Sequence, residues 1–513
     1  MATTQLTSAE RPTDRASDRA VGAKWRVFLI TAASCYSPLT VWVNAGEQPV
    51  LTTFLLDLGL MVAIGLLLYL VLGRLGLDRL GSAYAVSLFV FTASNIGSMV
   101  GRYHEWDRFV LLVGAALVAT LGYRIRELPV VRFIMSWGAI FLVAYPVTMV
   151  ASEWWAAEKV PLSVDVGTDI ETGTMTTKPD VLMVVFDAYG SVEVLEEFYG
   201  FDNDGILAEL EQEGFVAPGT LSANYARTLL SIPSILQLDY VTTVPTLSKA
   251  DIDALGRVIT GDSRLVEALK QQDYRYVHVE SGWLGSRCAS ENIDICVHAP
   301  WPDETFFDLS YRTIVRGLGG FEVGRSHTEG TLNSAKWLLS DLAPYLIDET
   351  PDFIFAHILL PHPPLFLDSS CVPDWRGGQP GFALGPAGQG VGERARAGYL
   401  AQVQCANTII SGITQMLPSS TAAVFVGDHG PDGQGQLFIP GTEWDEALKR
   451  ERFGAFYAAR VPNCDMEHVE SLVNVGRRAL SCLTQTDLPD LPLKTYDMER
   501  GPDGNIVSEL EVR

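Results

Sequence analysis

Residues 180–190 read DVLMVVFDAYG, and the fold turns on how that run is taken. Six apolar residues in a row, Val181 to Phe186, end in Asp187. A run apolar at every position suits a central parallel strand covered on both faces, because alternation is lost when neither face meets water. Two later stretches repeat the pattern. TAAVFVGDHGPDG (421–433) ends its strand in Asp428 and His429, and PDFIFAHILLPHPP (351–364) carries His357 inside the strand and His362 beyond it. A further strand at 274–279 and helices near 203–213, 262–271, 333–346, 394–416 and 466–484 complete an alternation of strands and helices. That rhythm predicts a doubly wound α/β domain whose site lies at the carboxyl ends of the strands. The Gly- and Pro-rich span 376–392 is expected as a surface loop near that site.

The segment NYARTLLSIPSILQLDY (224–240) delivers Thr228 to the head of an apolar run. Alone, a threonine there is most simply a helix N-cap. Set beside the strand ends, Asp187, Thr228, Asp428 and His429 make four oxygen and nitrogen ligands for one divalent ion. The imidazole favours Zn²⁺ or Mn²⁺ over Mg²⁺ or Ca²⁺. On such an ion the Thr228 hydroxyl loses its proton more readily and can attack phosphorus or sulfur. Plainer readings stand beside this one, since an Asp ending a strand before a glycine turn is often an Asx-turn. His357, within an apolar strand, is expected to be a core histidine, and His278 and His327 to be structural. His362, held between prolines after its strand, is expected to face the pocket.

Upstream the composition changes. The chain of 513 residues is 48% hydrophobic, with five apolar stretches at about 25–45, 51–73, 81–101, 107–123 and 132–152. Each approaches the length needed to cross a ~30 Å hydrocarbon layer. Residues 1–23 are polar and expected as a disordered cytoplasmic tail. Basic residues cluster in the tail and in the second and fourth loops (Arg74, Arg79, Arg124, Arg126, Arg132), which places the N-terminus inside and everything beyond Trp155 outside. The division expected is a tail at 1–23, a membrane domain at 24–155, a linker at 156–178 and a catalytic domain at 179–513. With 61 acidic and 37 basic residues, net −24, the chain does not suit a nucleic-acid partner.

Of seven cysteines, Cys35 lies in an apolar run and six follow residue 280. An even number beyond the membrane stretches fits an oxidising compartment. Pairing by order gives Cys288–Cys296, Cys371–Cys405 and Cys464–Cys482, one of 15 connectivities.

These residues resemble the alkaline phosphatase/sulfatase superfamily. The strand running into Asp187, the T-x-x-S-x-P pattern at Thr228, Ser231 and Pro233, and the DHG triplet at 428–430 carry the resemblance; ERFGAFYAARVP (451–462) and LPLKTY (491–496) extend it. With the membrane stretches, the chain looks like the lipid A phosphoethanolamine transferases and lipoteichoic acid synthases. The resemblance implies that Thr228 is both nucleophile and metal ligand, that Asp187, Asp428 and His429 are the other ligands, and that His362 binds substrate. It implies a zinc or manganese cofactor, a phospholipid donor and an envelope glycan or glycolipid acceptor at a cell membrane, inner or plasma. The product would be a glycan or glycolipid carrying a phosphorylated alcohol, formed through a phospho-threonine.

The sequence also departs from the family. Ile232 stands where the C/S-x-P-S-R motif of formylglycine sulfatases has arginine, so such a sulfatase is not expected. Ala188 and Tyr189 follow Asp187 where paired acids are usual, which points to one metal site. The histidine some transferases place after DHG is absent, with PDGQGQLFIP in its place. A hydrolase of the same superfamily, or a non-catalytic envelope assembly protein, remains the alternative reading.

Overall fold

The computed structural model describes residues 12–44, 51–93, 107–126, 128–157, 162–242, 245–300, 325–375, 392–436, 439–501 and 504–510. The chain divides into two compact units, one helical and one α/β. Most of the 376–392 span and residues 45–50 and 94–106 lie outside the described residues.

The helical unit comprises α1 (Pro12–Asn44), α2 (Leu51–Arg74), α3 (Asp78–Ala93), α4 (Asp107–Ile125) and α5 (Pro129–Ala157). Five helices stand where five apolar stretches predict them. Among the described residues, however, only Phe54–Arg74 and Pro129–Met149 are long and apolar enough to cross a membrane. The expectation of five spans is thus reduced to two. Helix α3 has 16 residues, about 24 Å at 1.5 Å per residue. Helix α4 has 19 residues with charge at Asp107, Arg108 and Arg124, and α1 opens with a charged half. That half includes residues 12–23, expected as a tail but helical here, with Pro12 at the first position where its missing N–H costs nothing. Leu29, Val86, Phe89, Met135 and Ala139 pack inside the bundle. Leu67, Leu117, Phe133 and Phe141 project outward, exposed, an apolar surface of the kind that marks an interaction face.

In the α/β unit, β1 (Val181–Phe186), β2 (Arg275–Val279), β3 (Ile295–Val297), β4 (Asp352–Ile358), β5 (Ala422–Gly427) and β6 (Tyr457–Arg460) form one sheet in the order β3-β2-β4-β1-β5-β6. Pairing is parallel except between β5 and the edge strand β6. The central strand β1 is buried along its whole length. Val181, Met183 and Val185 enter one apolar cluster, and Leu182, Val184 and Phe186 the other. This two-sided burial is why the run shows no alternation in sequence.

Helices α6 (Val192–Tyr199), α7 (Asp204–Gln212), α11 (Arg325–Ser340) and α12 (Glu393–Thr414) supply residues to the second cluster. Helices α8 (Thr228–Gln237), α9 (Lys249–Ile259), α10 (Arg264–Lys270), α13 (Glu446–Phe453) and α14 (Leu472–Thr484) supply the first. The stretch expected as a linker is tied to this unit: Met175 N–H donates to Gln272 Oε1 at 3.1 Å.

A hairpin that the sequence did not announce, Thr495–Gly501 with Gly504–Leu510, closes the unit. It grips the segment before Thr228. Tyr496 N–H donates to Asn224 O at 2.8 Å, and Ala226 N–H donates to Tyr496 O at 2.9 Å. Disulfides join Cys288–Cys296, Cys371–Cys405 and Cys464–Cys482, as paired by order.

Candidate functional site

Asp187 and Asp428 extend the adjacent parallel strands β1 and β5, so their side chains leave the sheet at the same edge. Asp428 Oδ1 is taken up by the N–H groups of Ala188, at 3.0 Å, and of His429, at 2.9 Å. Its Oδ2 has no hydrogen-bond partner, and neither does Asp187 Oδ1, although both carboxylates are buried. His429 follows in a turn that demands glycine next: a Cβ on Gly430 would lie 1.9 Å from Glu451 O. The His429 Nδ1–H donates to Gly430 O at 3.0 Å. Since a carbonyl only accepts, Nε2 carries the lone pair. That lone pair faces Asp428 Oδ2 at 3.3 Å and Asp187 Oδ1 at 3.8 Å.

Thr228 is the first residue of α8, and Arg227 holds the cap position without a side-chain cap bond. The threonine is therefore not the N-cap that the local pattern suggests. Its hydroxyl donates instead to His429 Nε2 at 3.1 Å. Ser231, one turn on, donates to Asp428 O at 2.6 Å and fastens the helix to the ligand turn. His362 sits in the loop after β4, and its N–H donates to Asp187 O at 3.0 Å. The four residues expected to ligate and His362 are thus brought to one place.

His357 corrects the sequence reading. It is paired in register with Val185 on β1, and its Nε2 lies 3.5 Å from Asp187 Oδ2, too far for a hydrogen bond. Neither ring nitrogen has a hydrogen-bond partner, and the side chain is fully buried. A core histidine would be satisfied, as His278 is, by Tyr276 Oη at 3.0 Å and Ser286 O at 2.6 Å. Ligand atoms of Asp187, His357 and Asp428 lie within 4.8 Å of one another. The signal was present in FIFAHILL: His357 is the polar residue that ends the face of Phe353 and Phe355. Arg452 was missed as well. Its guanidinium reaches Gly430 O and His429 Nε2 from α13.

The electrostatics divide the two acids. Burial raises the Asp187 carboxyl, but His362, His357 and His429 together outweigh it and hold it below the ordinary carboxylate range. Burial and the charge of Asp187 push Asp428 well above that range. Burial, then Arg452, depresses the His429 imidazole, and burial depresses His362, with His327 adding to the effect. Two buried acids beside His357, His362 and His429, with carboxyl oxygens and ring nitrogens left over, form a donor set suited to a divalent cation.

No family model matches the chain, and no curated protein matches it. Among solved structures it is similar to the lipooligosaccharide phosphoethanolamine transferase A of Neisseria meningitidis, an integral membrane protein. That match has 13% identity over 89% of this chain and 95% of the other, at a TM-score of 0.38. The C-terminal periplasmic domain of EptC from Escherichia coli, in complex with Zn, matches at 12% identity over 68% and 96%, TM-score 0.38. A protein in the alkaline phosphatase superfamily from Vibrio parahaemolyticus matches at 12% over 70% and 89%, TM-score 0.37. Superposition at this level is loose.

Proposed function

We propose that the chain is a metal-dependent transferase of the alkaline phosphatase/sulfatase type. It would move a phosphorylated alcohol, of phosphoethanolamine or phosphoglycerol kind, from a phospholipid to an envelope glycan or glycolipid. The observation that carries the proposal is the Thr228 hydroxyl. It stands at a helix head, does not cap it, and lies 3.1 Å from His429 Nε2 beside two buried carboxylates. Asp187, Thr228, Asp428 and His429 would hold the ion, with His357 added to the set and His362 bordering the substrate. Such an ion, Zn²⁺ or Mn²⁺ by its donors, would acidify the hydroxyl and offset charge gathering on the phosphoryl oxygens.

In the first step Thr228 Oγ1 bonds to phosphorus and the bond to the diacylglycerol oxygen breaks, diacylglycerol leaving with the proton. An acceptor hydroxyl then attacks the phospho-threonine, and its proton passes to the departing Thr228 oxygen. Three disulfides favour an extracytoplasmic α/β unit, and the apolar helices favour a multi-pass anchor within reach of a lipid donor. Residues 24–155 would be that anchor and 179–513 the catalytic domain.

The test is mass spectrometry of the full chain in detergent after exposure to phosphatidylethanolamine or phosphatidylglycerol with Zn²⁺ or Mn²⁺. A head-group adduct mapped to Thr228 is expected. Hydrolysis of soluble phosphate or sulfate esters without an adduct would move the assignment to a hydrolase. Neither metal binding nor an adduct would leave a non-catalytic assembly protein.

A further inference from the structure

We infer that Arg452 is a positioning residue, which fixes the spacing of Thr228 and His429 and the tautomer of His429 through a planar fork that no other side chain reproduces. The inference rests on the metal-dependent reading of the site. Arg452 sits in the last turn of α13 and is 3% exposed. Among the described residues its guanidinium has no carboxylate within ion-pairing distance. Asp428 and Asp497 attract it from beyond that distance, but a buried cation without a close ion pair is costly, so its retention calls for a use.

The bonds it makes supply one. Nε donates to Ala226 O at 2.9 Å, and Nη2 donates to the same oxygen. Nη1 donates to Gly430 O at 2.7 Å. Ala226 lies two residues before Thr228, and Gly430 one residue after His429. One rigid group therefore spans the segment that carries the hydroxyl and the turn that carries the imidazole. Gly430 O also accepts the His429 Nδ1–H at 3.0 Å. By holding that oxygen in place, Arg452 keeps the proton on Nδ1 and the lone pair on Nε2. Nη2 donates to Nε2 at 3.2 Å, but the bonds from Nε and Nη1 hold the fork whatever partner Nε2 takes. Lysine places its three donors on one nitrogen and lacks the planar fork that holds both carbonyls in fixed geometry.

The test uses the full chain in detergent with Co²⁺ as the probe, read by equilibrium titration and by its visible absorption bands. R452K and R452M should bind Co²⁺ about 10–100-fold more weakly, with displaced bands, and should lose kcat more than KM. R450Q, which removes an exposed ion pair with Glu197, should leave binding and bands unchanged. If R452M does not fold, R452K decides alone. Wild-type affinity and bands in R452K would overturn the inference while leaving the metal site standing. A wild-type chain that binds no Co²⁺ would remove the metal reading and this inference with it.

Discussion

Thr228 Oγ1 and His429 Nε2 lie 3.1 Å apart although 201 residues separate them in the chain. Nothing local to either segment creates that contact. It is made by β1 and β5 pairing side by side and by Ser231 fastening α8 to the carbonyl of Asp428.

Thr228→Val should lower turnover by roughly 10³-fold or more if the hydroxyl is the nucleophile. Because that hydroxyl caps nothing, unfolding free energy should change by less than about 1 kcal/mol. Head-group adduct mass and thermal unfolding, measured on the same preparation, check both halves.

His357→Leu separates a metal role from a packing role. Leucine removes two ring nitrogens that have no hydrogen-bond partner, which favours the fold, but also the imidazole 3.5 Å from the buried Asp187 carboxyl, which opposes it, so the metal-stripped protein should change little in stability. Zn²⁺ affinity should fall about 10–100-fold. The matched His278→Leu change leaves Ser286 O unpaired and should cost about 1–3 kcal/mol with no effect on the metal. Calorimetric titration and melting curves distinguish the two.

Glu451 predicts a pH dependence of stability. Burial raises its carboxyl to about 7, against lowering by hydrogen bonds from Tyr199, Gln436 and Gln434. Between the ordinary glutamate range and pH 7 the folded state keeps a proton that the unfolded state has lost. Stability from this group is therefore full at low pH and declines as pH rises through that window, by up to about 3 kcal/mol. Glu451→Gln should flatten the difference, with the Gln434 and Gln436 amides turning to suit. Melting temperatures of both proteins between pH 5 and pH 8 test this; parallel curves would refute it.

Cys464–Cys482 closes a loop of 18 residues in sequence separation. Replacing both cysteines by alanine should destabilise the α/β unit by about 2–4 kcal/mol. Neither cysteine is among the residues gathered at Thr228, so turnover below the new melting temperature should persist. Turnover and melting temperature, each compared with reduced wild type, decide it.

The sequence carried the sheet and most of the site for a physical reason. Central parallel strands lose alternation, and an acid or imidazole at the end of such a run stands out, as Asp187, Asp428 and His429 do. His357 did not stand out, because an isolated imidazole in an apolar strand reads as core until its missing partners are seen. Arg452 was hidden in EALKRERF, which reads as a solvated charged helix, and its bonds to Ala226 O and Gly430 O, distant in sequence, draw it inside. The hairpin at 495–510 is polar enough to pass for a tail.

The grip of Tyr496 and Lys494 on Asn224 and Ala226 bears on biogenesis. The loop that presents the Thr228 hydroxyl is secured by a stretch 270 residues downstream, so these bonds cannot form while that stretch is still unsynthesised. On the proposed reading, competence would arrive late and all at once, only when residues 494–496 have joined the unit.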